Sequence, residues 1–197
     1  MKVLLVVGDD KTGRKFLSLV KPIENMYIVV DKSTSTKRVW KLIKRGSLTP
    51  FLVLKMALAE LMRPSCKVDQ HEAVRSNGDL LRLLKEHEVE RVYLFRAGLL
   101  ISKRVLKTGV DVLNIHCARI PEYGGLGVLQ RALNDKAYDQ EATLHRVTTR
   151  IDEGEVLATQ AYQLDGALSY RKNEDAAYEA GMRLLLNQLS QLAASPG

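Results

Sequence analysis

Cysteine is scarce in this chain of 197 residues, which contains only Cys66 and Cys117. The two lie far apart and neither belongs to a Cys-x-x-Cys pair, which excludes a disulfide framework and a cysteine-rich zinc site. Long apolar runs are also missing, since none approaches the roughly 18 residues that a membrane-spanning helix needs. The run Val3–Val7 is too short for a signal peptide and two aspartates follow it. We therefore expect a cytoplasmic protein without a membrane span.

Internal repeats and low-complexity segments are absent as well. The chain is 46% hydrophobic and 27% charged, which is ordinary for a globular protein that buries a core. We expect residues 1–197 to form one domain. The formal net charge of +7 favours anionic partners such as phosphates, carboxylates or nucleic acid, although it can also serve solubility alone.

Short aliphatic runs alternate with helical patterns over the first 115 residues. Asp79–Glu88 is an example, because its leucines recur at helical spacing between charged residues. Strands that alternate with helices imply crossover connections and a parallel sheet. The pattern predicts an α/β, Rossmann-like fold with a mostly parallel sheet and helices on both faces. Its predicted strands are Val3–Val7, Tyr27–Val30, Val92–Phe95 and Val112–Ile115.

Residues 36–64 interrupt this rhythm with an inserted helical segment. Thr36–Arg45 is basic, whereas Phe51–Met62 is apolar almost all round. Thr49-Pro50 is a favourable helix start and Arg63-Pro64 ends the pattern. The simplest interpretation is an apolar helix packed on the sheet beside a solvated basic helix. A membrane-surface foot, a partner-binding hairpin and a lid over the site remain alternatives.

The last third of the chain changes character. Thr143–Val147 and Val156–Tyr162 alternate like strands, and an Asp-x-Gly turn at Asp152 separates them. Asn173 is a candidate cap for a closing helix, because acidic residues follow it in the first turn.

Two polar residues stand at the end of a predicted strand, before a loop with one proline and two glycines. Asn114 and His116 are two positions apart, so their side chains point to the same face of the sheet. Ligands of open α/β sheets bind at the carboxyl ends of strands. An amide beside an imidazole offers a neutral donor and a group that exchanges protons, although a capping Asn and a surface His give the same pattern.

A carboxylate follows 36 residues later in the turn Arg150-Ile151-Asp152-Glu153-Gly154. Such turns between strands are common and often have no other role. If the turn returns to the strand end, Asp152 would stabilise the imidazolium of His116 and raise its pKa.

The order of these residues resembles the signature of the formyltransferase family. The stretches NIHCARIPEYGG and ALNDKAYDQEATLHRVTTRIDEGEVLATQ carry this resemblance, which extends over about residues 67–165. The signature runs from Asn-x-His through Pro-x-aromatic and Gly to Thr-x-His-x-Val, Asp-x-Gly and a final Gln. The matching residues are Asn114, His116, Pro121, Tyr123, Gly125, Thr143, His145, Val147, Asp152, Gly154 and Gln160.

The resemblance implies transfer of a formyl group from 10-formyltetrahydrofolate to an acceptor amine, without a metal. Asn114 would hydrogen-bond the formyl oxygen, His116 would stabilise the developing charge and move protons, and Asp152 would keep His116 charged. His145 would be supporting structure. Main-chain groups would bracket the pterin ring, and the positions that correspond here are Gly98, Leu99, Leu100, Ile101, Arg150 and Ile151.

Two positions depart from the family pattern. Cys117 stands where a proline usually follows the catalytic His, and Gly124 stands where Arg or Lys is frequent. The Cys117 thiol is not needed as a nucleophile, since formyl transfer to an amine requires no covalent enzyme intermediate.

The acceptor is the open question. We expect a small-molecule amine, most of all an amino sugar that is nucleotide-linked, and no specific nucleic-acid binding; a homodimer is left open. One alternative is glycinamide ribonucleotide formyltransferase of purine synthesis, with the loop Gly8–Arg14 holding the phosphate. The other is an inactive formyltransferase-like binding module. Methionyl-tRNA formyltransferases and formyltetrahydrofolate hydrolases carry further domains that these 197 residues do not include.

Overall fold

A seven-stranded sheet organises the computed structural model, which describes residues 1–34 and 36–194. The strand order is β3-β2-β1-β4-β5-β6-β7. The strands are β1 Val3–Gly8, β2 Met26–Asp31, β3 Glu72–Val74, β4 Arg91–Phe95, β5 Asp111–His116, β6 Asp139–Arg146 and β7 Val156–Gln163. The pairs from β3 to β5 are parallel, and β6 and β7 are added antiparallel. The predicted mostly parallel α/β fold is confirmed.

Helices cover both faces of the sheet, as predicted. They are α1 Lys11–Leu17, α2 Thr36–Lys44, α3 Pro50–Met62, α4 Asn77–Glu86, α5 Lys103–Leu106, α6 Val128–Asn134 and α7 Tyr170–Ala194. One face packs on α1, α6 and α7, and the other packs on α4 and α5. Strand β1 is buried throughout: Leu4 and Val6 join one core while Leu5 and Val7 join the other. This is the continuous apolar pattern of a strand that is covered on both faces.

The start of the closing helix differs from the prediction. Helix α7 begins at Tyr170, and Asn173 lies inside it rather than capping it. The buried Asn173 amide accepts a hydrogen bond from the Asp165 N–H at 2.8 Å and donates to the Asp165 carbonyl at 2.9 Å. Its side chain therefore fastens the preceding loop to the helix. Helix α1 begins at Lys11 because Asp10 accepts a hydrogen bond from the Gly13 N–H and caps it.

The inserted segment forms the two predicted helices. Thr49 caps α3 by accepting a hydrogen bond from the Leu52 N–H at 3.1 Å, and Pro50 occupies the first position. The interpretation that this helix packs on the sheet needs correction, because α3 packs against α7 and buries only Leu52 and Ala59. None of the described helices is long and apolar enough to cross a bilayer.

Candidate active site

Strand β5 carries the first two candidate residues to the carboxyl edge of the sheet. Val112, Leu113 and Ile115 are buried, whereas Asn114 and His116 are only partly buried. The two polar side chains share a face because residues alternate along a strand. The strand thus anchors its apolar residues and presents an amide and an imidazole at its end.

The loop between β6 and β7 brings the third candidate to them. Asp152 Oδ2 lies 3.3 Å from His116 Nδ1, and Asp152 itself has a positive φ of 52°. A non-glycine residue in that region is held there at a cost. Gly154 makes the turn possible, because an added Cβ would lie 1.7 Å from the Arg146 carbonyl oxygen. The structure therefore brings the three predicted residues together.

Asp152 is the centre of the cluster. Asp152 Oδ1 lies 3.5 Å from His145 Nε2. Asp152 Oδ2, which faces His116, also accepts a hydrogen bond from the Gly125 N–H at 2.8 Å. Burial alone would raise the pKa of Asp152. The hydrogen bond from His145, the charge of His116 and the Gly125 N–H together hold that pKa below its usual value. The carboxylate is therefore ionised at neutral pH.

The predicted rise in the pKa of His116 is not found. Burial lowers the pKa of this imidazole, and Asp152 and the Tyr123 carbonyl only partly oppose that effect. His116 Nε2 lies 2.8 Å from the Tyr123 carbonyl oxygen, while Nδ1 faces Asp152. Because desolvation prevails, His116 is mainly neutral at pH 7 and has partners that favour its protonated form.

His145 takes a closer part in the cluster than the sequence indicates. It pairs with Asn114 across β5 and β6, and its Nε2 lies 3.1 Å from Asn114 Nδ2. The ring is 2% exposed. The signal for it was the Thr-x-His segment of the signature, but only the strand register shows that His145 stands opposite Asn114.

The loop after β4 contains four of the predicted cofactor-binding positions, and part of its main chain is already engaged. The Leu99 N–H donates to Asp31 Oδ2 at 2.8 Å, and the Leu100 carbonyl accepts from Asn77 at 2.9 Å. An added Cβ on Gly98 would lie 2.2 Å from Thr34 Oγ1. The loop is therefore held in place, and these two main-chain groups have partners within the protein. The Leu100 side chain is exposed and Ile101 is half-buried.

Arg150 and Ile151, the remaining predicted cofactor positions, lie exposed beside Asp152. Close to them is a hollow of about 420 Å³. Val112, which lines it, precedes Asn114 by two residues on the same face of β5. Its lining residues are Leu106, Gly109, Val110, Asp111, Val112, Arg146, Val147, Thr148 and Thr149.

The loop Gly8–Arg14 was a candidate phosphate site, and its donors are engaged within the protein. The Lys11 N–H donates to Glu60 Oε1 at 2.7 Å, and the Gly13 N–H donates to Asp10 Oδ1 at 2.7 Å. A phosphate needs such main-chain donors. Two carboxylates already occupy the places that it would take.

A charged network fills the crevice at the ends of β1 and β4. Arg96 donates to Asp10 Oδ2 through Nη2 at 2.5 Å and through Nε at 3.1 Å. It also donates to the Tyr178 hydroxyl, above whose ring its guanidinium lies at 4.1 Å. On the other side, Tyr178 donates to Glu174 at 2.8 Å. The network thus connects the sheet to α7.

Arg63 completes the network from the end of α3. It is buried and pairs with Glu174 at 2.6 Å and with Asp175 at 2.7 Å. Despite burial, the hydrogen bonds that Arg63 donates to these carboxylates raise its pKa, so it stays charged. Its ion-pair partners are Glu174 and Asp175 on α7, and Glu60 on α3 at 3.4 Å.

The two departures from the family pattern have structural reasons. Cys117 turns toward α7, where an added Cβ on Gly181 would lie 2.9 Å from its Sγ. Burial raises the pKa of the Cys117 thiol to about 12, so it is a thiol and not a nucleophilic thiolate. Gly124 packs on Asp152, since an added Cβ would lie 3.2 Å from the Asp152 Cβ. Among the described residues, no group of three or more His, Cys, Asp or Glu could hold a metal ion.

This fold and this edge of the sheet define an α/β protein with an amide, a carboxylate and two imidazoles at a strand end. The family described as Formyl transferase matches residues 50–189, and the chain belongs to that family.

Individual relatives carry different names. The methionyl-tRNA formyltransferase of Neisseria meningitidis is 28% identical over 140 residues, which are 71% of this chain and 44% of that protein. Phosphoribosylglycinamide formyltransferase from Anaplasma phagocytophilum has the same fold, with a TM-score of 0.67 at 14% identity, over 98% of this chain and 86% of that one. A Mycobacterium tuberculosis protein proposed to be a sugar N-formyltransferase matches with a TM-score of 0.67 at 12% identity, over 98% and 68% of the two chains. The chain spans less than half the length of the N. meningitidis relative.

Proposed function

We propose that this protein transfers a formyl group from 10-formyltetrahydrofolate to the amino group of an acceptor. One observation carries the proposal: Asp152 lies 3.3 Å from the ring of His116, at the strand end that also bears Asn114. This is the constellation that the family signature implies, and the family match covers all three residues.

The residues fit the donor that the family uses. The hollow of about 420 Å³, which Val112 lines two residues before Asn114, is within the usual range of small-molecule sites, roughly 300–1,000 Å³. Val112 and Val147 give it apolar walls for a flat ring, and Thr148 and Thr149 add polar groups. When bound there, 10-formyltetrahydrofolate supplies an activated formyl group. We therefore place the pterin over this hollow, and not against the engaged main chain of Leu99 and Leu100.

Asn114 would stabilise the negative charge on the formyl oxygen, and His116 would take up the proton that leaves the amine. Asn114 donates an N–H to the formyl oxygen as negative charge develops on it, and removal of such a donor typically lowers the rate by about 10²–10³. His116, neutral at rest because burial lowers its pKa, accepts the proton that the amine loses as its nitrogen bonds to the formyl carbon. That proton then goes to the departing nitrogen of the folate as its bond to the formyl carbon breaks.

Asp152 would stabilise the imidazolium that His116 forms during this transfer. The carboxylate is ionised, contacts Nδ1 of His116 and is itself held by Gly125 and His145. Its contribution appears only when the imidazole is charged, so it favours the transition state more than the ground state. We expected Asp152 to keep His116 charged at rest. Instead, Asp152 stabilises the charged imidazole only during the transfer.

For the acceptor we propose an amino sugar, nucleotide-linked. In the loop after β1, Asp10 and Glu60 already accept hydrogen bonds from the Gly13 and Lys11 N–H groups. This supports an acceptor whose phosphate does not bind at that loop. That observation disfavours glycinamide ribonucleotide as the acceptor. An inactive binding module is disfavoured by the retained Asn114, His116 and Asp152, which a purely structural protein does not need together.

The test is turnover of 10-formyltetrahydrofolate with a panel of amines. The panel contains nucleotide-linked amino sugars, glycinamide ribonucleotide and methionyl-tRNA, and release of tetrahydrofolate is followed. His116→Ala and Asp152→Ala should each remove most of the activity while their circular dichroism stays native. His71→Gln, outside the cluster, is the matched histidine control. Full activity in either site variant, or neither turnover nor folate binding in the wild type, contradicts the proposal.

A further inference from the structure

The net charge of the chain is confined to one segment. Residues 32–59 contain seven Lys and Arg and no Asp or Glu. The other 23 basic residues of the chain are matched by its 23 acidic residues. The whole formal charge of +7 therefore belongs to the stretch that includes α2 and most of α3.

The same segment exposes large apolar side chains. Trp40 on α2 is 63% exposed, and Phe51 on α3 is 66% exposed. Along α3 the exposed residues recur at spacings of three and four, which places them on one helix face. The members of this apolar face are Phe51, Leu54, Leu58, Leu61 and Met62.

One charged residue of α3 lies beside that face and the other is bound within the protein. Lys55 lies over the Phe51 ring at 4.7 Å and donates to Gln130 at 3.0 Å, and Glu60 accepts from the Lys11 N–H. The cations of α2 are outward instead: Lys41 and Lys44 are exposed, while its aliphatic residues are half-buried. A five-residue connection, 45–49, joins α2 to α3, and Lys55 over the Phe51 ring places a cation at the apolar face itself.

Three occupants could cover an apolar surface with cations beside it. A second copy of the chain would bring two segments of +7 together without a carboxylate in either, and like charges repel. A nucleic acid offers anions but no apolar phase for the aliphatic residues of α3. A bilayer with anionic lipids offers both, since apolar side chains enter the acyl boundary while Lys and Arg meet the headgroups.

We propose that the α2–α3 segment binds the surface of an anionic membrane. The described helices lie on the bilayer and do not span it, in keeping with their length and apolarity. The opposite, buried side of α3 contacts the start of α6, because an added Cβ on Gly127 would lie 2.9 Å from Leu52 of α3. Membrane binding does not depend on formyl transfer and is measured without turnover.

Trp40 makes the test direct, because it is the only tryptophan of the chain. The full chain is titrated with vesicles of phosphatidylcholine alone or with one third phosphatidylglycerol, at low and high salt. The emission of Trp40 should move to shorter wavelength, and the protein should sediment with the vesicles, only when the anionic lipid is present. High salt should weaken the binding, because it screens the lysines.

Matched variants separate the two contributions. Lys41→Gln with Lys44→Gln should weaken vesicle binding by roughly fivefold for each lysine removed. Leu54→Ser with Leu58→Ser should weaken it by more than tenfold, since two buried aliphatic side chains are lost. The controls carry the same changes on other exposed positions: Lys103→Gln with Lys107→Gln, and Leu19→Ser with Leu168→Ser.

Four outcomes of the vesicle and sedimentation experiments would overturn the membrane proposal. They are no binding to anionic vesicles, equal binding to neutral ones, equal losses in the control variants, and a dimer in sedimentation velocity that Leu54→Ser with Leu58→Ser dissociates. If the protein binds RNA and does not bind vesicles, the α2–α3 segment is a nucleic-acid site, and this result also overturns the membrane proposal. Loss of formyl transfer alone would contradict the proposed function and leave vesicle binding unaffected.

Discussion

Two polar clusters lie at the carboxyl ends of parallel strands, and they differ in the kinds of groups that they pair. In the network around Arg63 and Arg96, each guanidinium meets carboxylates or a hydroxyl on several sides. At the end of β5, one carboxylate is shared by two imidazoles and a main-chain N–H. The first cluster pairs groups that stay charged, whereas the second joins a carboxylate to imidazoles, which exchange protons.

The difference separates a cluster of permanent ion pairs from one that is suited to proton transfer. Ion pairs between groups that stay charged contribute to stability or to specificity of folding. A carboxylate that is shared among several donors holds them in place while they can still exchange partners. Burial and pairing alone do not distinguish the two clusters; the chemical character of the paired groups does.

The largest expected effect is on catalysis, from Asp152→Asn. This variant keeps the size of the side chain but removes the charge that would stabilise the His116 imidazolium. We expect turnover to fall by about 10²–10⁴-fold with little change in acceptor KM. Asp69→Asn, on an exposed position, should retain full activity. Retention of wild-type turnover by Asp152→Asn would place the carboxylate among the structural groups.

Arg63→Met should lower the stability of the protein and leave its turnover unchanged. It leaves Glu174 buried without its ion-pair partner, and breaking a buried pair typically costs about 3–5 kcal/mol. Denaturant unfolding should show that loss, while the folded fraction keeps its turnover per molecule. Arg104→Met on an exposed position is the control. Adding Glu174→Leu to Arg63→Met should recover part of the stability, and no recovery would contradict the pairing.

The pH dependence of stability should distinguish His116 from solvated histidines. Its pKa in the folded protein lies below the unfolded value of 6.5, because burial disfavours the imidazolium. Between those two pKa values the unfolded chain binds more protons, so stability is complete above pH 6.5 and decreases as the pH falls. His116→Gln should reduce this decrease. In NMR titrations, a His116 signal that moves above pH 6.5 would contradict the expected direction.

Much of this molecule follows from sequence patterns. The strand runs, the α2–α3 insertion and the Thr49-Pro50 start are local signals, and the structure has them close to the expected places. The start of α7 was missed, because Asn173 bonds to a loop eight residues away. The proximity of Asp152 and His116 came from a family resemblance and not from spacing.

Other features depend on distant contacts that no local pattern contains. Arg63 meets Glu174 across 111 positions, and Arg96 meets Asp10 across 86. The position of His145 opposite Asn114 depends on the antiparallel register of β5 and β6. The sign of the His116 pKa shift depends on burial, which competes with the neighbouring carboxylate.

Substitution of Cys117 should have the smallest effect on turnover and stability. Cys117 lies between the two clusters, because it follows His116 in the chain and the charges of Arg96 and Glu174 act on the pKa of its thiol. A catalytic thiol would make Cys117→Ala inactive. We expect full turnover instead, because burial raises the pKa to about 12, with a stability loss below about 1.5 kcal/mol from the small cavity. Cys117→Ser should be less stable than Cys117→Ala, because it introduces a hydroxyl into an apolar contact with α7. If Cys117→Ser were the more stable of the two, the thiol would lie in a polar environment and the boundary between the clusters would be misplaced.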